Sequence, residues 1–390
     1  MQDRMTDDLK PLTSLRFVAA MMIVGLHLKL SFLWSALAYV PGRAVQGVSF
    51  FFVLSGFILT HVYSSRPLPR YRAFMAARIS RLWPVHVASL LVLLNFVRAD
   101  SITFIGLGIF SKPVLLIVNL GLLQAWFPTI AHQYSFNSVS WSISTEMAFY
   151  LAFPFLLVRI RRQWASILLL AAGLVIAMLM ATSLLSLPDN GGVETVTTAT
   201  FLYTQPLVRG LEFVTGMAAY VFWNRFLRYR LISAVTYTVM EVSALTLVVV
   251  WLARGSWIVQ SKIESLPSVL AWFIEAGSFW AFAIVIVIFA AAGGWLGKIL
   301  SLRPFVWLGE ISFSIYMFHL ILIKIFALGY PDWSNPQTFF PALIAISALS
   351  FYLVEQPGRK WLGRILGASH PSVGLPKTDR GAADPVTERA

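Results

Sequence analysis

Eleven apolar stretches, each roughly 15–25 residues long and poor in charge, take up most of this chain. They cover residues 12–34, 44–63, 84–98, 103–123, 139–158, 164–187, 201–223, 231–252, 268–292, 304–327 and 337–354. A helix needs about 20 apolar residues to cross the hydrocarbon core of a bilayer. No water is present there to satisfy backbone polar groups, so only helices and closed barrels cross it. The expected fold is therefore all-α, a polytopic integral membrane protein. Charged residues make up only 12% of the chain, about half the share of a soluble domain, which is near 25%.

The basic residues give a topology. Arg66, Arg70, Arg72, Arg78 and Arg81 read as the loop after the second stretch. Arg159, Arg161 and Arg162 follow the fifth, and Arg225, Arg228 and Arg230 the seventh. Lys298 and Arg303 precede the tenth, and Arg359, Lys360 and Arg364 follow the last. Lys and Arg accumulate in cytoplasmic loops. Eleven crossings would put 159–162 opposite 66–81. If 103–123 enters and leaves on one side, every basic cluster and both termini fall in the cytoplasm. That leaves ten transmembrane helices plus a re-entrant or interfacial segment, the one interrupted by Gly106, Gly108 and Lys112-Pro113. The formal charge of +13 then reads as topology, with the lipid bilayer as the partner and no nucleic acid. The first stretch reads as a retained anchor rather than a cleaved signal. Residues 1–360 are expected to form one membrane-embedded domain and 361–390 a disordered cytoplasmic tail.

Ionisable side chains inside a bilayer cost about 2.5–3.5 kcal/mol each on insertion scales and mark functional candidates. Arg16 and His27 share the first stretch, and a rise of about 1.5 Å per residue carries His27 roughly 16 Å beyond Arg16. Glu146 is expected about 10 Å below the outer surface by the same rise, at a level where it could meet His27. His27 by itself reads equally as an interhelical hydrogen-bond partner. Arg209 and Glu212, three apart, are placed for an intrahelical ion pair, more a packing device than a site. His319 falls where interfacial aromatic residues are expected. Arg78 and Arg81, also three apart, share a helix face and suit either a phosphate clamp or a positive-inside flank.

Several chemistries lack their residues. The chain has no cysteine, hence no disulfide or thiolate. It has no Walker-type loop and no Gly-x-Ser-x-Gly elbow. The six histidines form no His-x-x-x-His pair, and no metal site is expected.

The ordered motifs resemble the acyltransferase 3 family of bacterial membrane acyltransferases. Leu12-Thr13-Ser14-Leu15-Arg16-Phe17-Val18-Ala19-Ala20 running on to His27 is similar to the family's first helix. Phe51-Phe52-Val53-Leu54-Ser55-Gly56-Phe57 is similar to its second. Arg78-x-x-Arg81 with Trp83-Pro84 resembles its arginine motif, and Ser140-Trp141-Ser142-Ile143-Ser144-Thr145-Glu146 its tryptophan-to-glutamate motif. Arg209-Gly210-Leu211-Glu212-Phe213 through Gly216-Met217, the stretch from Leu308 to His319, and Val354-Glu355-Gln356-Pro357 complete seven motifs in order over about 12–360. Ser49 departs from the acid common in the family before the Phe run, and Phe313 and Phe318 replace a commoner Tyr and Trp. The resemblance is to a stand-alone version, without the esterase-like domain of some members.

The resemblance implies a multi-pass enzyme of the bacterial inner membrane. Such an enzyme moves an acyl group, most often acetyl, from cytoplasmic acyl-coenzyme A to a hydroxyl of a surface or lipid-linked glycan. His27 is expected as general base, with Glu146 orienting it. Arg16, Arg78 and Arg81 are expected on the coenzyme A phosphates. Trp141, Ser144, Arg209, Glu212 and His319 are expected to build the site or touch substrate. A transporter or flippase of a glycan or lipid-linked precursor is the alternative, since buried charges suit it equally.

Overall fold

The computed structural model describes residues 9–28, 41–64, 67–97, 106–230, 232–329 and 335–368, which are helical and contain no strand. Seven helices are long and apolar enough to span a bilayer, or eight if one bent pair counts as a single span. The chain is a multi-pass membrane protein.

Helix α1 covers Lys10–Leu28 and α2 Gly47–Ser64. Residues 29–34, the end of the first expected stretch, lie outside the described residues. Helix α3 runs over Tyr71–Phe96, thirteen residues earlier than its apolar stretch. Arg72, Arg78 and Arg81, expected in a loop, are therefore helical. Charge and an internal Pro84 disguise the start. The helix tolerates the proline, whose ring lies where a Cβ on Gly358 would come within 2.6 Å.

Residues 103–105 of the interrupted stretch lie outside the described residues, and 106–123 hold a short helix, α4, at Lys112–Leu120. Nine residues reach about 14 Å, less than half of a hydrocarbon core of about 30 Å. A further short helix, α5, follows at Ile130–Tyr134. This segment is pinned from outside itself. Trp83 Nε1 donates to Leu120 O at 3.1 Å and His86 Nε2 to Asn119 O at 3.0 Å. Ser144 Oγ donates to Leu122 O at 2.7 Å and accepts from Ala125 N at 3.2 Å. Leu122 and Phe136 hold φ of 54° and 63°, a left-handed conformation that is costly for such residues and persists only where surroundings enforce it. His132 stacks on Phe127 with ring centroids 4.6 Å apart. Burial pushes its pKa below the usual histidine range.

Two expected stretches, 139–158 and 164–187, form one continuous element, α6, at Trp141–Leu184, kinked at Gln163. Its two arms, on either side of Gln163, are each about 32 Å long at a rise of about 1.5 Å per residue. Helix α7, Pro206–Phe226, is long enough to span but carries Arg209, Glu212 and Arg225 and is not among the seven. Helix α8 covers Ala234–Val250 and runs on through a π-turn at Trp251–Gly255. Helices α9, Pro267–Ala276, and α10, Phe279–Phe289, make up one span. Helices α11, Arg303–Glu310, and α12, Ser312–Gly329, meet at a 58° bend. Helix α13, Pro336–Ser350, passes through a π-turn at Phe351–Glu355 into α14, Gln356–Ile365. The first residues of the expected tail, 361–365, are thus helical, and 369–390 lie outside the described residues.

Helices α2 and α7 form the tightest crossing. A Cβ on Gly56 would collide with Phe213 O, and one on Gly216 with Val53 O. Small residues let backbones approach in this way inside a membrane, where van der Waals packing rather than hydrophobicity holds helices together. Gly309 of α11 sits in the same manner against Thr13 O of α1. Phe52, Phe149, Phe153 and Phe213, all buried, interlock beside the α2–α7 crossing.

Candidate active site

Three cavities adjoin one another through shared walls inside the bundle. The first, of about 160 Å³, lies among α1, α2, α3, α6 and α12 and is lined by Arg16, Ser55, Arg81, Ser142, Glu146 and Tyr316, among others. Arg16 and Arg81 reach it from the early turns of α1 and from the middle of α3. Glu146 accepts hydrogen bonds from Ser55 Oγ at 3.0 Å and from Tyr150 OH. Arg78, also buried, places its guanidinium 5.7 Å from the Phe74 ring centre and 5.8 Å from that of Tyr150. Its Nε has no hydrogen-bond partner. Glu355 accepts from Ser314 Oγ at 3.1 Å and lies within electrostatic reach of Arg16, Arg81 and Arg359. Two guanidiniums, of Arg16 and Arg81, thus share the cavity wall with one carboxylate, Glu146, while Arg78, Arg359 and Glu355 stand outside that wall.

The second cavity, of about 140 Å³, shares Val48 and Tyr316 with the first and is lined by His27, Trp141 and Tyr203. The partner of His27 is His319, buried on α12, whose Nε2 lies 3.2 Å from His27 Nδ1. Two backbone carbonyls fix the tautomers. His319 Nδ1 sits 2.7 Å from Tyr316 O and His27 Nδ1 2.9 Å from Ile23 O. A carbonyl only accepts, so both Nδ1 atoms carry the hydrogen. His319 Nε2 is then an acceptor facing the His27 Nδ1–H, and His27 Nε2 holds a lone pair. Tyr316 OH donates to Ser142 Oγ at 2.8 Å and closes the wall between the two cavities.

The third cavity, of about 450 Å³, shares Val45, Tyr134 and Tyr203 with the second. Arg209 forms part of its wall. The Arg209–Glu212 pair forms as the spacing predicts, Nε to Oε2 at 3.0 Å, with both side chains buried. The guanidinium also lies 5.2 Å from the Phe52 ring centre and 5.8 Å from those of Trp141 and Tyr203. Its Nη2 donates to Ser49 Oγ at 3.4 Å, so the serine at the family's acidic position hydrogen-bonds the buried arginine but brings it no charge. Trp141 belongs to the wall of the His27 cavity, and Ser144 anchors the 122–125 turn.

The structure brings Arg16, Arg81 and Glu146 to one cavity, and His27, Trp141 and His319 to the neighbourhood of the next. It places no hydrogen bond between His27 and Glu146: the carboxylate binds Ser55 and Tyr150, and the imidazole binds His319. Glu146 lines the first cavity and His27 the second. The His27–His319 contact and the part of Glu355 escaped the sequence. The available signal was that two histidines in apolar stretches each need a partner. Among the described residues no group of three or more His, Asp or Glu side chains could hold a metal ion.

Comparison with known proteins gives the family. The sequence model of the acyltransferase domain matches residues 11–355. The chain is 28% identical to acyltransferase MdmB of Streptomyces mycarofaciens, over 91% of this chain and 93% of that one. It is 26% identical to a Bacillus subtilis protein provisionally named peptidoglycan O-acetyltransferase YrhL, over 89% of this chain and 54% of that one. It is 23% identical to a provisionally named O-acetyltransferase of Staphylococcus aureus strain COL, over 90% and 57%. The chain thus spans a little over half the length of the last two. No solved structure matches it.

Proposed function

This chain belongs to the acyltransferase 3 family, and from that premise we propose that it carries an acyl group, acetyl in the simplest case, from cytoplasmic acyl-coenzyme A to a hydroxyl of a surface or secreted glycan. The observation that carries the reading is the position of His27: its cavity adjoins the arginine-rich cavity on one side and the 450 Å³ cavity on the other. Counting α6 twice across its kink, the α11–α12 pair once and α7 once gives ten crossings. Both termini then face the cytoplasm of a bacterial inner membrane, as the basic clusters require.

Coenzyme A suits the first cavity. Its 3′-phosphate and pyrophosphate are polyanionic, and the cavity offers an excess of guanidinium. Arginine binds phosphate through a planar fork and never loses its charge, and Arg16 and Arg81 both stand in the cavity wall. Arg16, Arg78 and Arg81 hold the phosphates, while Glu146 and Glu355 keep the guanidiniums apart and oriented. The thioester end extends toward Tyr316 and His27.

At His27 the lone pair on Nε2 takes the proton of the acceptor hydroxyl as its oxygen attacks the thioester carbonyl. The carbon–sulfur bond breaks, the acyl oxygen ester forms, and coenzyme A leaves as the thiol, protonated by the imidazolium. A positioned base of this kind contributes about 10²–10⁴-fold. The His27 Nδ1–H, held between Ile23 O and His319 Nε2, keeps the ring in the tautomer this step needs. His319 thus takes the orienting part expected of Glu146.

Purified protein titrated with acyl-coenzyme A tests the reading. Saturable binding or turnover is expected, with Arg78→Lys and Arg81→Lys raising the apparent donor constant more than they lower the rate at saturation. A transporter or flippase would neither bind acyl-coenzyme A saturably nor turn it over.

A further inference from the structure

The 450 Å³ cavity has a wall chemistry unlike that of the other two. Tyr134, Tyr203 and Trp272 present aromatic rings, and Asp189, Asn190 and Glu275 present carboxylates and an amide. Asp189 and Asn190 are exposed, whereas the three aromatic residues and Glu275 are half-buried. Tyr134, Tyr203, Glu275 and Arg209 lie within electrostatic reach of one another. Tyr134 sits in α5, outside the spanning helices, and burial together with the charge of Glu275 raises its pKa, so its hydroxyl remains a donor. Ligand pockets of about 300–1,000 Å³ typically combine apolar walls with a few placed polar groups.

We propose that this cavity is the acceptor subsite and that it takes a neutral sugar ring, stacked on Trp272 and Tyr203 and hydrogen-bonded through its hydroxyls to Asp189, Asn190 and Glu275. The proposal rests on the acyl-transfer reading above and adds to it a place and a chemical class for the acceptor. A sugar ring is hydroxyl-rich at its edge and presents C–H groups on its faces. Aromatic rings match the faces, and carboxylates and amides, which accept from hydroxyls, match the edge. An anionic acceptor is disfavoured, because two carboxylates stand in the wall and Arg209, the cation there, is already neutralised by Glu212 at 3.0 Å. Continuity supplies the remaining argument. Val45, Tyr134 and Tyr203 line both this cavity and that of His27, so a hydroxyl at the inner edge of the ring points toward the lone pair on His27 Nε2.

A photoaffinity experiment on the full-length detergent-solubilised protein tests this. The probe is a trimer of N-acetylglucosamine carrying a diazirine at its reducing end. Labelled peptides from residues 187–204 and 267–276 are expected, with labelling suppressed by excess unlabelled trimer but not by a sialic acid monomer. Trp272→Ala and, independently, the surface change Asp189→Asn are each expected to cut labelling at least tenfold while acyl-coenzyme A binding stays within twofold of wild type. Labelling elsewhere, labelling that excess trimer does not suppress, equal competition by sialic acid, or no labelling at all overturns the proposal. The two readings fail separately: sugar labelling in this cavity without any acyl transfer would sink the transferase reading alone, and acyl transfer with labelling elsewhere would sink the subsite alone.

Discussion

His27 and His319 sit 292 positions apart in the chain, and the chemistry rests on what each nitrogen can do. Two backbone carbonyls hold both Nδ1 atoms in the protonated form, which leaves the lone pair on His27 Nε2. His319→Ala removes the acceptor for the His27 Nδ1–H but leaves the Ile23 carbonyl. The expected result is a fall in kcat of about tenfold to a hundredfold, the scale of lost orientation rather than of a lost base, with the donor constant unchanged. His319→Gln, whose amide oxygen can accept the same hydrogen, is expected to recover much of it. Equal loss in both variants, or loss confined to the amount of folded protein, would show that His319 merely packs. The Arg209–Glu212 pair belongs to a different class of effect. Removing one partner of a buried pair strands the other charge and costs about 3–5 kcal/mol, so Glu212→Ala is expected to lower the melting temperature sharply. Arg209→Met combined with Glu212→Leu is expected to melt higher than either single change. A double variant melting below both would contradict this account of the pair.

Among the elements, the apolar stretches located the helices well, because a spanning helix must be apolar along most of its length. They failed at the start of α3, where charged residues precede the apolar run. Helix α3 begins at Tyr71, well before its apolar stretch, because Arg78 is buried and Arg81 lines a cavity, so neither faces lipid. The α6 kink at Gln163 and the 58° bend between α11 and α12 were not legible either, since a hydropathy pattern records length and not direction. The motif glycines, by contrast, have a plain structural meaning. Gly56 and Gly216 are where α2 and α7 touch backbone to backbone. Gly56→Ala is expected to push these helices apart and to lower the yield of monodisperse protein on size exclusion, whereas Gly173→Ala, where an added Cβ meets nothing, is expected to leave it unchanged. Similar elution and melting of the two variants would mean that the α2–α7 crossing yields more readily than its contacts imply.

Across the whole molecule, three adjoining cavities divide the work of the proposed reaction. Arginines of α1 and α3 form one end, His27 the middle, and the aromatic and acidic cavity beyond α5 the other end. Arg16, His27 and Glu146 stood out in the sequence as ionisable groups in apolar stretches, and Arg78 and Arg81 by their spacing. The sequence did not reveal which of them share a cavity, since that depends on helix rotation, nor did it reveal Tyr134, Tyr203 and Trp272, which are ordinary residues for a membrane interface. The central claim is that His27, standing between donor and acceptor cavities, transfers an acyl group to a glycan. Mass spectrometry of surface glycans from cells lacking this protein, complemented with wild type or with His27→Gln present in the membrane at equal level, measures it directly. The account predicts an acyl mass that disappears on deletion, returns with wild type, and stays absent with His27→Gln. An acyl mass restored to the wild-type level by His27→Gln would contradict it.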